Sequence, residues 1–436
     1  MKITGIIAEF NPFHNGHQYI LEKARVLTGC EKLVVAMSGD FVQRGAPAIL
    51  DKGMRAKCAL MNGADLVVQL PVVTSTGSAR DFAYGGVKTL AACGVDTLVF
   101  GCEWEDVELL RKFADILYTE PEAFKSALQQ GLKAGKNYPT AQTEALLACM
   151  DTANSLEEDT FSRLLREPNT ILGLEYMRAI KELGLSMVTL PVKRTGVSHH
   201  GVEVCGSFAS ASYLRSRLLD CDSPAHVFKE LKELVPANIR PLYEEQTEKQ
   251  PLLSELDYEK VLYYKLLLAY RTSSTPAAST SAQPSFLDAT DEILNRLQKE
   301  LSDYRNFAEY LDRVTTKDVT RGRMLRIITH ILLDLTTELG SFFRETELPY
   351  VRVLGVKKDA RPLLGEIAKK APVITSVAEG EQALLKETAC DANRTHSVLT
   401  LLASDIFARE VYLMLTKTKG DAVSLPNDYR LPIQII

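Results

Sequence analysis

Gly5-Ile6-Ile7-Ala8-Glu9-Phe10-Asn11-Pro12-Phe13-His14-Asn15-Gly16-His17 is the stretch on which the reading of this chain turns. It opens inside a short apolar run, Ile3–Ala8, of the kind buried on both faces of a parallel sheet. Asn11-Pro12 forces a turn, and a helix is expected from about Asn15. Such a strand-to-helix junction aims the unpaired N–H groups and positive dipole end of the helix at one spot, where a phosphate can sit. His14 and His17, three apart, fall on neighbouring positions of that first turn. Both can donate hydrogen bonds to phosphate oxygens as charge develops on them. Gly16 leaves the backbone open to a ribose or a base. The plainer reading, two histidines that only cap a helix, fits the same spacing.

Outward from this stretch, Lys32–Met37, Asp65–Leu70 and Thr97–Phe100 are further short runs rich in Val, Ile and Leu. Between them Asn15–Leu27, Lys52–Asn62 and Asp81–Ala92 have the length and spacing of amphipathic helices. The alternation predicts an α/β fold, a Rossmann-like doubly wound parallel sheet with ligands beyond the carboxyl ends of its strands. Residues 105–166 read as a polar helical insertion. Sheet-like sequence returns at Ser186–Pro191, a polar stretch Lys193–Ser210 follows, and a helix starts at Ala211. These features bound a nucleotide-binding domain at residues 1–225. Residues 226–436 are expected to be mainly helical, interrupted by a Ser-, Thr-, Ala- and Pro-rich flexible segment at 271–285. Beyond it Asp288–Leu339 reads as two helices, Val351–Val356 and Val373–Val377 as strands, and Thr395–Met414 as a helix.

The 436 residues allow two or three domains. With 51 basic and 56 acidic side chains the net charge is −5, so any nucleic-acid surface has to be a local basic patch. None of the eight cysteines forms a C-x-x-C pair, which argues against a zinc ribbon or a thioredoxin-like site. Dispersed cysteines read as reduced thiols of a cytosolic protein. No signal peptide is expected at Met1-Lys2-Ile3-Thr4, and no run reaches the ~18–20 uncharged apolar residues of a membrane span. The expectation is a soluble, cytoplasmic protein without membrane association. His199-His200 cannot easily share one ion, and no metal site is assigned.

Several single residues carry two readings. Gly101, after the run Thr97–Phe100, is a turn glycine or room for a nucleotide. Asn169 is the N-cap of a helix Thr170–Lys181 or a partner for ribose or base. Lys193-Arg194 is a solvated pair or, for the guanidinium, a phosphate contact. Ser210, Ser212 and Arg215 at a helix start suit a phosphate tail, while Ser210 can equally serve as the cap. Arg321, Arg323 and Arg326, with His330 one turn on, form a solvated helix face or a contact for nucleic-acid phosphates; Lys357, Lys358 and Arg361 form a second basic cluster.

The run Phe10–His17 resembles the H-x-G-H signature of the nucleotidyltransferase superfamily that includes class I aminoacyl-tRNA synthetases and small-molecule adenylyltransferases. More narrowly, the chain resembles the bacterial tRNA(Met) cytidine acetate ligase family. The supporting stretches are SGDFVQRGAPA (Ser38–Ala48), DKGMRAKCALMNGADLVVQLP (Asp51–Pro71), REPNTILGLEY (Arg166–Tyr176), LPVKRTG (Leu190–Gly196) and SASYLR (Ser210–Arg215). Ser212 stands where the superfamily usually has threonine, which keeps the hydroxyl.

That resemblance implies an enzyme that activates acetate with ATP as acetyl-adenylate and passes the acetyl group to N4 of the wobble cytidine of elongator tRNA(Met). Mg²⁺ is expected to accompany the ATP, and no stable protein partner is predicted. His14 and His17 are the implied catalytic residues. ATP contacts are implied along Ile7, Ala8, Glu9, Phe10, Asn11, Pro12, Phe13, His14, Asn15, Gly16, His17, Gln18, Tyr19 and Ile20, and at Gly101, Asn169 and Arg194. Ser210, Ser212 and Arg215 become phosphate-binding candidates, and Arg321, Arg323 and Arg326 become tRNA-binding candidates. Ser38–Phe41, Asp51-Lys52 and Arg55 are candidates for the acetate pocket or for holding the tRNA nucleotide. Two rivals stand beside this reading, a small-molecule adenylyl- or cytidylyltransferase and a non-catalytic RNA-binding protein. The long region 226–436 favours a macromolecular substrate over the first, and the intact His14, Gly16 and His17 disfavour the second.

Overall fold

The computed structural model describes all residues except 105, 151–154, 195–205, 222, 272–284 and 420–424. Most of the segment 271–285, and His199-His200, therefore lie outside the described residues.

Side chains alternate between the two faces of a strand, and here both faces are apolar. In β1 (Ile3–Ala8), Ile3 and Ile7 enter one core while Ile6 enters another. In β2 (Lys32–Ser38), Val34 and Ala36 join the first core, and Leu33, Val35 and Met37 the second. β3 (Phe41–Val42) and β4 (Ala46–Pro47) form a small antiparallel hairpin outside the main sheet. β5 (Leu66–Leu70), β6 (Thr97–Cys102) and β7 (Val188–Lys193) complete the parallel part of the sheet. β8 (Val351–Val356) pairs antiparallel with β5, and β9 (Val373–Ile374) and β10 (Gln434–Ile435) pair parallel with β8. The strand order is β10-β8-β5-β2-β1-β6-β7, with β9 also on β8.

A sheet apolar on both faces has to be covered on both. Helices α1 (Asn15–Thr28) and α2 (Lys52–Met61) bury Leu21, Ala24, Ala56, Ala59 and Leu60 on the Ile6 side. The short α3 (Val72–Ser75) and α4 (Ala79–Ala92) cover the other side with Val73, Phe82, Ala83, Val87 and Leu90. The insertion after β6 is helical: α5 (Val107–Thr119), α6 (Glu122–Lys133), α7 (Tyr138–Leu147) and α8 (Ser155–Leu164). Then α9 (Pro168–Glu182) packs beside α4 and leads into β7, and α10 (Ala211–Leu219) follows. The chain steps from β1 to β2 to β5, then returns to β6 on the other side of β1. That reversal opens a crevice at the carboxyl ends of β1 and β6.

Three local expectations are corrected. β6 continues through Cys102, so Gly101 lies inside the strand. Asp288–Leu339 holds three helices, Asp291–Leu301, Phe307–Val314 and Arg321–Leu332, and the start of a fourth, Thr337–Glu345. Thr290, Asn306, Thr320 and Thr336 each cap the next helix through a side-chain oxygen, which divides the helical run. The second predicted C-terminal strand stops at Ile374, and Val377 already opens a helix. Among the described residues no helix is long and apolar enough to cross a membrane.

Candidate active site

β1 ends at Ala8, and the chain turns through Glu9–Phe13 into α1. Phe10 adopts φ 50°, a left-handed conformation rare for a bulky residue, with its buried ring edge-on to Phe13 and His17 at 4.9 Å each. His14 is the N-cap of α1. Its Nδ1 accepts from the Gly16 N–H at 3.0 Å, and its own backbone N–H donates to Nδ1 of His17 at 3.2 Å. Both rings thus use Nδ1 as an acceptor, so each neutral imidazole carries its proton on Nε2. Neither Nε2 has a protein partner among the described residues, and both histidines line a cavity of about 280 Å³. The plain capping reading therefore holds, and it leaves both Nε2 groups available for the functional one.

The two rings stack with centroids 3.8 Å apart. Burial, then Arg194 and Arg215, push His14 down to about 3. Burial, the neighbouring His14 and the same arginines hold His17 well below the usual histidine range. At neutral pH both are uncharged N–H donors. Gly16 is needed by the protein itself, because a Cβ there would stand 2.8 Å from Cε1 of His14.

Three helix N-termini converge on this cavity: α1 through His14 and Gly16, α9 through Pro168 and Asn169, and α10 through Ser210, Ala211 and Ser212. Ser210 caps α10 by accepting from the Tyr213 N–H at 3.0 Å. Arg215 donates to the Asn11 carbonyl at 2.5 Å and to Oγ of Ser212 at 3.1 Å, which ties α10 to the β1–α1 turn. Arg194 follows β7 with its backbone N–H on the Cys102 carbonyl at 3.0 Å. The exposed side chains of Lys193 and Arg194 have no partner among the described residues. Gly101 lines the cavity, and a Cβ there would make only ordinary contact with Arg194.

Asn169 is not the N-cap of its helix. Glu167 occupies that position without a side-chain cap bond, and Asn169 sits one residue inside Pro168. Its Nδ2 donates to Glu103 at 2.6 Å, and Glu103 also accepts from the backbone N–H and hydroxyl of Thr170, at 2.9 and 3.1 Å. A carboxylate just beyond β6 thus caps α9 from outside and fixes the Asn169 amide at the cavity rim.

Of the remaining candidates, Ile7, Ala8, Glu9, Phe10, Asn11, Tyr19, Ile20 and Ser212 line the cavity. Pro12, Phe13, Asn15 and Gln18 do not; the Phe13 carbonyl accepts from the Tyr243 hydroxyl at 2.8 Å, and Asn15 Nδ2 donates to the carbonyls of Ser207 and Glu233 at 2.7 and 2.9 Å. Residues not singled out from the sequence also reach the cavity: Gln43, Arg44, Phe82, Phe100, Tyr176 and Phe208. The Gly45 of the β3–β4 turn, which would have flagged the tight hairpin holding Gln43 and Arg44, has φ 75°. A Cβ at Gly45 would lie 2.4 Å from the Arg326 backbone nitrogen.

The other charged candidates are paired within the protein. Lys52 pairs with Asp428 at 2.7 Å and Asp40 at 3.4 Å, Arg409 with Asp40 and Asp51 at 3.0 and 3.1 Å, and Arg352 with Asp428 at 2.9 Å, all buried. Arg55, fully buried, donates to the carbonyls of Glu9 at 2.6 Å, Leu50 at 2.9 Å and Ser38 at 3.2 Å, and also to that of Gly39. None of Asp40, Asp51, Lys52 and Arg55 lines the cavity, so they do not form an acetate pocket there. In the C-terminal half Arg321 pairs with Asp312 at 2.8 Å, and Arg323 and Arg326 with Asp288 at 3.2 and 3.8 Å. His330 is buried between the carbonyls of Leu287 and Thr76 and cannot face a nucleic acid.

A cavity at the switch point of a Rossmann-like sheet, with two neutral histidine donors, converging helix N-termini and cationic side chains, suits the phosphates of a nucleotide. The family model described as HIGH Nucleotidyl Transferase matches residues 1–424. The chain belongs to the HIGH nucleotidyltransferase family. The relatives that cover nearly its full length narrow the class to tRNA(Met) cytidine acetate ligases. It is 34% identical over 397 residues to that ligase of Clostridium kluyveri, covering 88% of this chain and 92% of that protein. With the ligase of Thermoanaerobacter sp. (strain X514) the identity is 33% over 431 residues, 97% of each chain. A crystal structure of Thermotoga maritima TmcAL bound with alpha-thio ATP superposes over the whole of both chains, with a TM-score of 0.84 and 26% identity.

Proposed function

We propose that this chain is a ligase that uses ATP and acetate to acetylate a cytidine of tRNA(Met). The observation that carries the chemistry is the pair of neutral Nε2–H donors on His14 and His17, beside Arg194 and Arg215, which form no ion pair with a carboxylate among the described residues. In the first step an acetate oxygen attacks the α-phosphorus of ATP and pyrophosphate leaves. Negative charge grows on the α-phosphate oxygens, and donors already oriented at that point stabilise it without reorganising. Neutral donors suit a group whose charge develops in the transition state. The permanent charges of Arg194 and Arg215 suit the β- and γ-phosphates.

In this reading Gly16 and Gly101 give the nucleoside room, the Asn169 amide holds it, and Ser210, Ser212 and Arg215 take the phosphate tail. Pro12, Phe13, Asn15 and Gln18 act by shaping the turn. Mg²⁺ accompanying the triphosphate would offset its charge. The mixed anhydride is labile enough to acylate N4 of the wobble cytidine of elongator tRNA(Met) without a protein nucleophile. The helical region from residue 226 supplies the tRNA surface, with Arg321 the most exposed of its three candidate arginines. The enzyme acts in the cytoplasm with its tRNA.

Radiolabelled acetate, ATP and total tRNA are expected to give acid-precipitable label that digests to N4-acetylcytidine. Pyrophosphate release on another carboxylate or a phosphoester, with no label in tRNA, overturns the reading.

A further inference from the structure

The cavity has two unlike walls. On the β6–β7 side stand Gly101, Asn169, Lys193 and Arg194; on the β2 side stand Glu9 and the β3–β4 turn with Gln43 and Arg44. Glu9 is the carboxylate among the described residues that line the cavity. Its Oε1 accepts from the Gln43 backbone N–H at 2.9 Å, and Oε2 has no protein partner among the described residues. Its own carbonyl is clamped by the buried Arg55 guanidinium at 2.6 Å, so both ends of the residue are fixed. The cavity wall also includes the rings of Phe82, Phe100 and Tyr176, and the phenol of Tyr176 is held protonated by burial and by the charge of Glu9.

A fixed carboxylate is a poor neighbour for the other reactants. ATP and acetate are anions, and like charges in a partly desolvated site repel. What a carboxylate does bind is an N–H donor, and a glutamate accepting from the cytosine amino group is a standard base contact. We infer that Glu9 receives the acceptor cytosine, accepting a hydrogen bond from N4 and taking its proton during acyl transfer.

The step balances. The N4 lone pair forms a bond to the acetyl carbon of the adenylate, and the bond from that carbon to the phosphate oxygen breaks, releasing AMP with the electron pair. One N4 proton passes to Oε2 of Glu9 and then to water. The aromatic wall gives the flipped base a surface to stack on. The inference rests on the proposed ligase reading and adds a named residue for its second step.

The test separates the two steps in single turnovers of the full-length protein with acetate, ATP, Mg²⁺ and tRNA(Met). Pyrophosphate reports adenylation, and labelled acetyl on tRNA reports transfer. For Glu9→Gln, which cannot take the proton, the ratio of labelled acetyl transfer to pyrophosphate release is expected to fall by roughly 100-fold or more. Glu9→Asp is expected to recover part of the transfer rate. Equal losses in both steps would place Glu9 with ATP, Mg²⁺ or acetate and overturn the inference, as would unchanged transfer. If wild type itself labels no tRNA, the ligase reading fails; if wild type labels tRNA and Glu9→Gln does so equally, only the role of Glu9 fails.

Discussion

Two groups of charged residues lie at the carboxyl ends of the parallel strands, and they differ in how their charges are met. Around the cavity, among the described residues, Lys193 and Arg194 are exposed without side-chain partners, and Arg215 donates to a carbonyl and a hydroxyl. A few strands away Lys52, Arg352 and Arg409 are closed against Asp40, Asp51 and Asp428, three cations to three carboxylates, all buried. The first group has charge to give to an anion. The second has none, and it joins α2 and the loop after β2 to β8, the long helix Ala392–Lys419 that carries Arg409, and the segment around Asp428. Residue type does not separate site from scaffold here; pairing does.

The largest effect is expected where pairing is broken. Arg409→Met leaves the buried Asp40 and Asp51 with one remaining ion pair among the described residues, Lys52 with Asp40, and should destabilise the fold by about 3–5 kcal/mol in urea unfolding. The folded fraction should keep its KM for ATP. A small stability loss with a raised KM would move the network into the ligand site and erase the contrast. His14→Asn is the complementary change. Asparagine is a good N-cap, so melting should shift little. The Nε2–H donor is lost, and kcat for acetate-dependent pyrophosphate release should fall by about 10²–10³-fold. If stability falls instead and kcat is kept, His14 is scaffold.

The fold was largely legible because its signals are local. Short Val-, Ile- and Leu-rich runs marked β1, β2, β5 and β6, and the amphipathic stretches between them marked α1, α2 and α4. The family resemblance added Asn169 and Arg194, which do reach the cavity. What it could not tell is the direction of a side chain. Asp40, Asp51 and Arg55 sit in stretches as family-like as the histidines, yet their partners, Arg409 for the two aspartates and carbonyls of four separate residues for Arg55, are set by tertiary packing. Tyr176 and Gln43 were inside quoted stretches as well, but their approach to the cavity depends on where α9 and the β3–β4 turn dock. Glu103 left no signal at all, since it caps a helix that begins 65 residues later, beyond the insertion.

A milder change tests the unpaired side of the contrast. Arg194→Ala removes an exposed guanidinium with no protein partner among the described residues, so urea unfolding should move by no more than about 0.5 kcal/mol. If the charge is held for a phosphate, its loss should cost about 1.5–3 kcal/mol in ATP binding, roughly tenfold to 100-fold in KM. An unchanged KM would make Lys193-Arg194 the solvated surface pair that its sequence equally allows.

The smallest effect per unit concerns protons, and it tests whether the histidines belong with the uncharged donors at all. Burial, Arg194 and Arg215 lower His14 from 6.5 to about 3 in the folded protein. Between those two values the unfolded chain binds a proton at this position that the folded chain does not. Stability from the neutral ring is therefore complete above about pH 6.5 and is lost as pH falls towards 3. His14→Asn should remove up to one proton from that difference, flattening the dependence of unfolding free energy on pH by about 1.4 kcal/mol per unit at most. His17, lowered for the same reasons and by His14 itself, should keep part of the slope. An identical slope in the variant would mean that His14 is charged when folded. It would then act as a third fixed cation beside Arg194 and Arg215, and the division between neutral donors for the α-phosphate and permanent charges for the tail would fall.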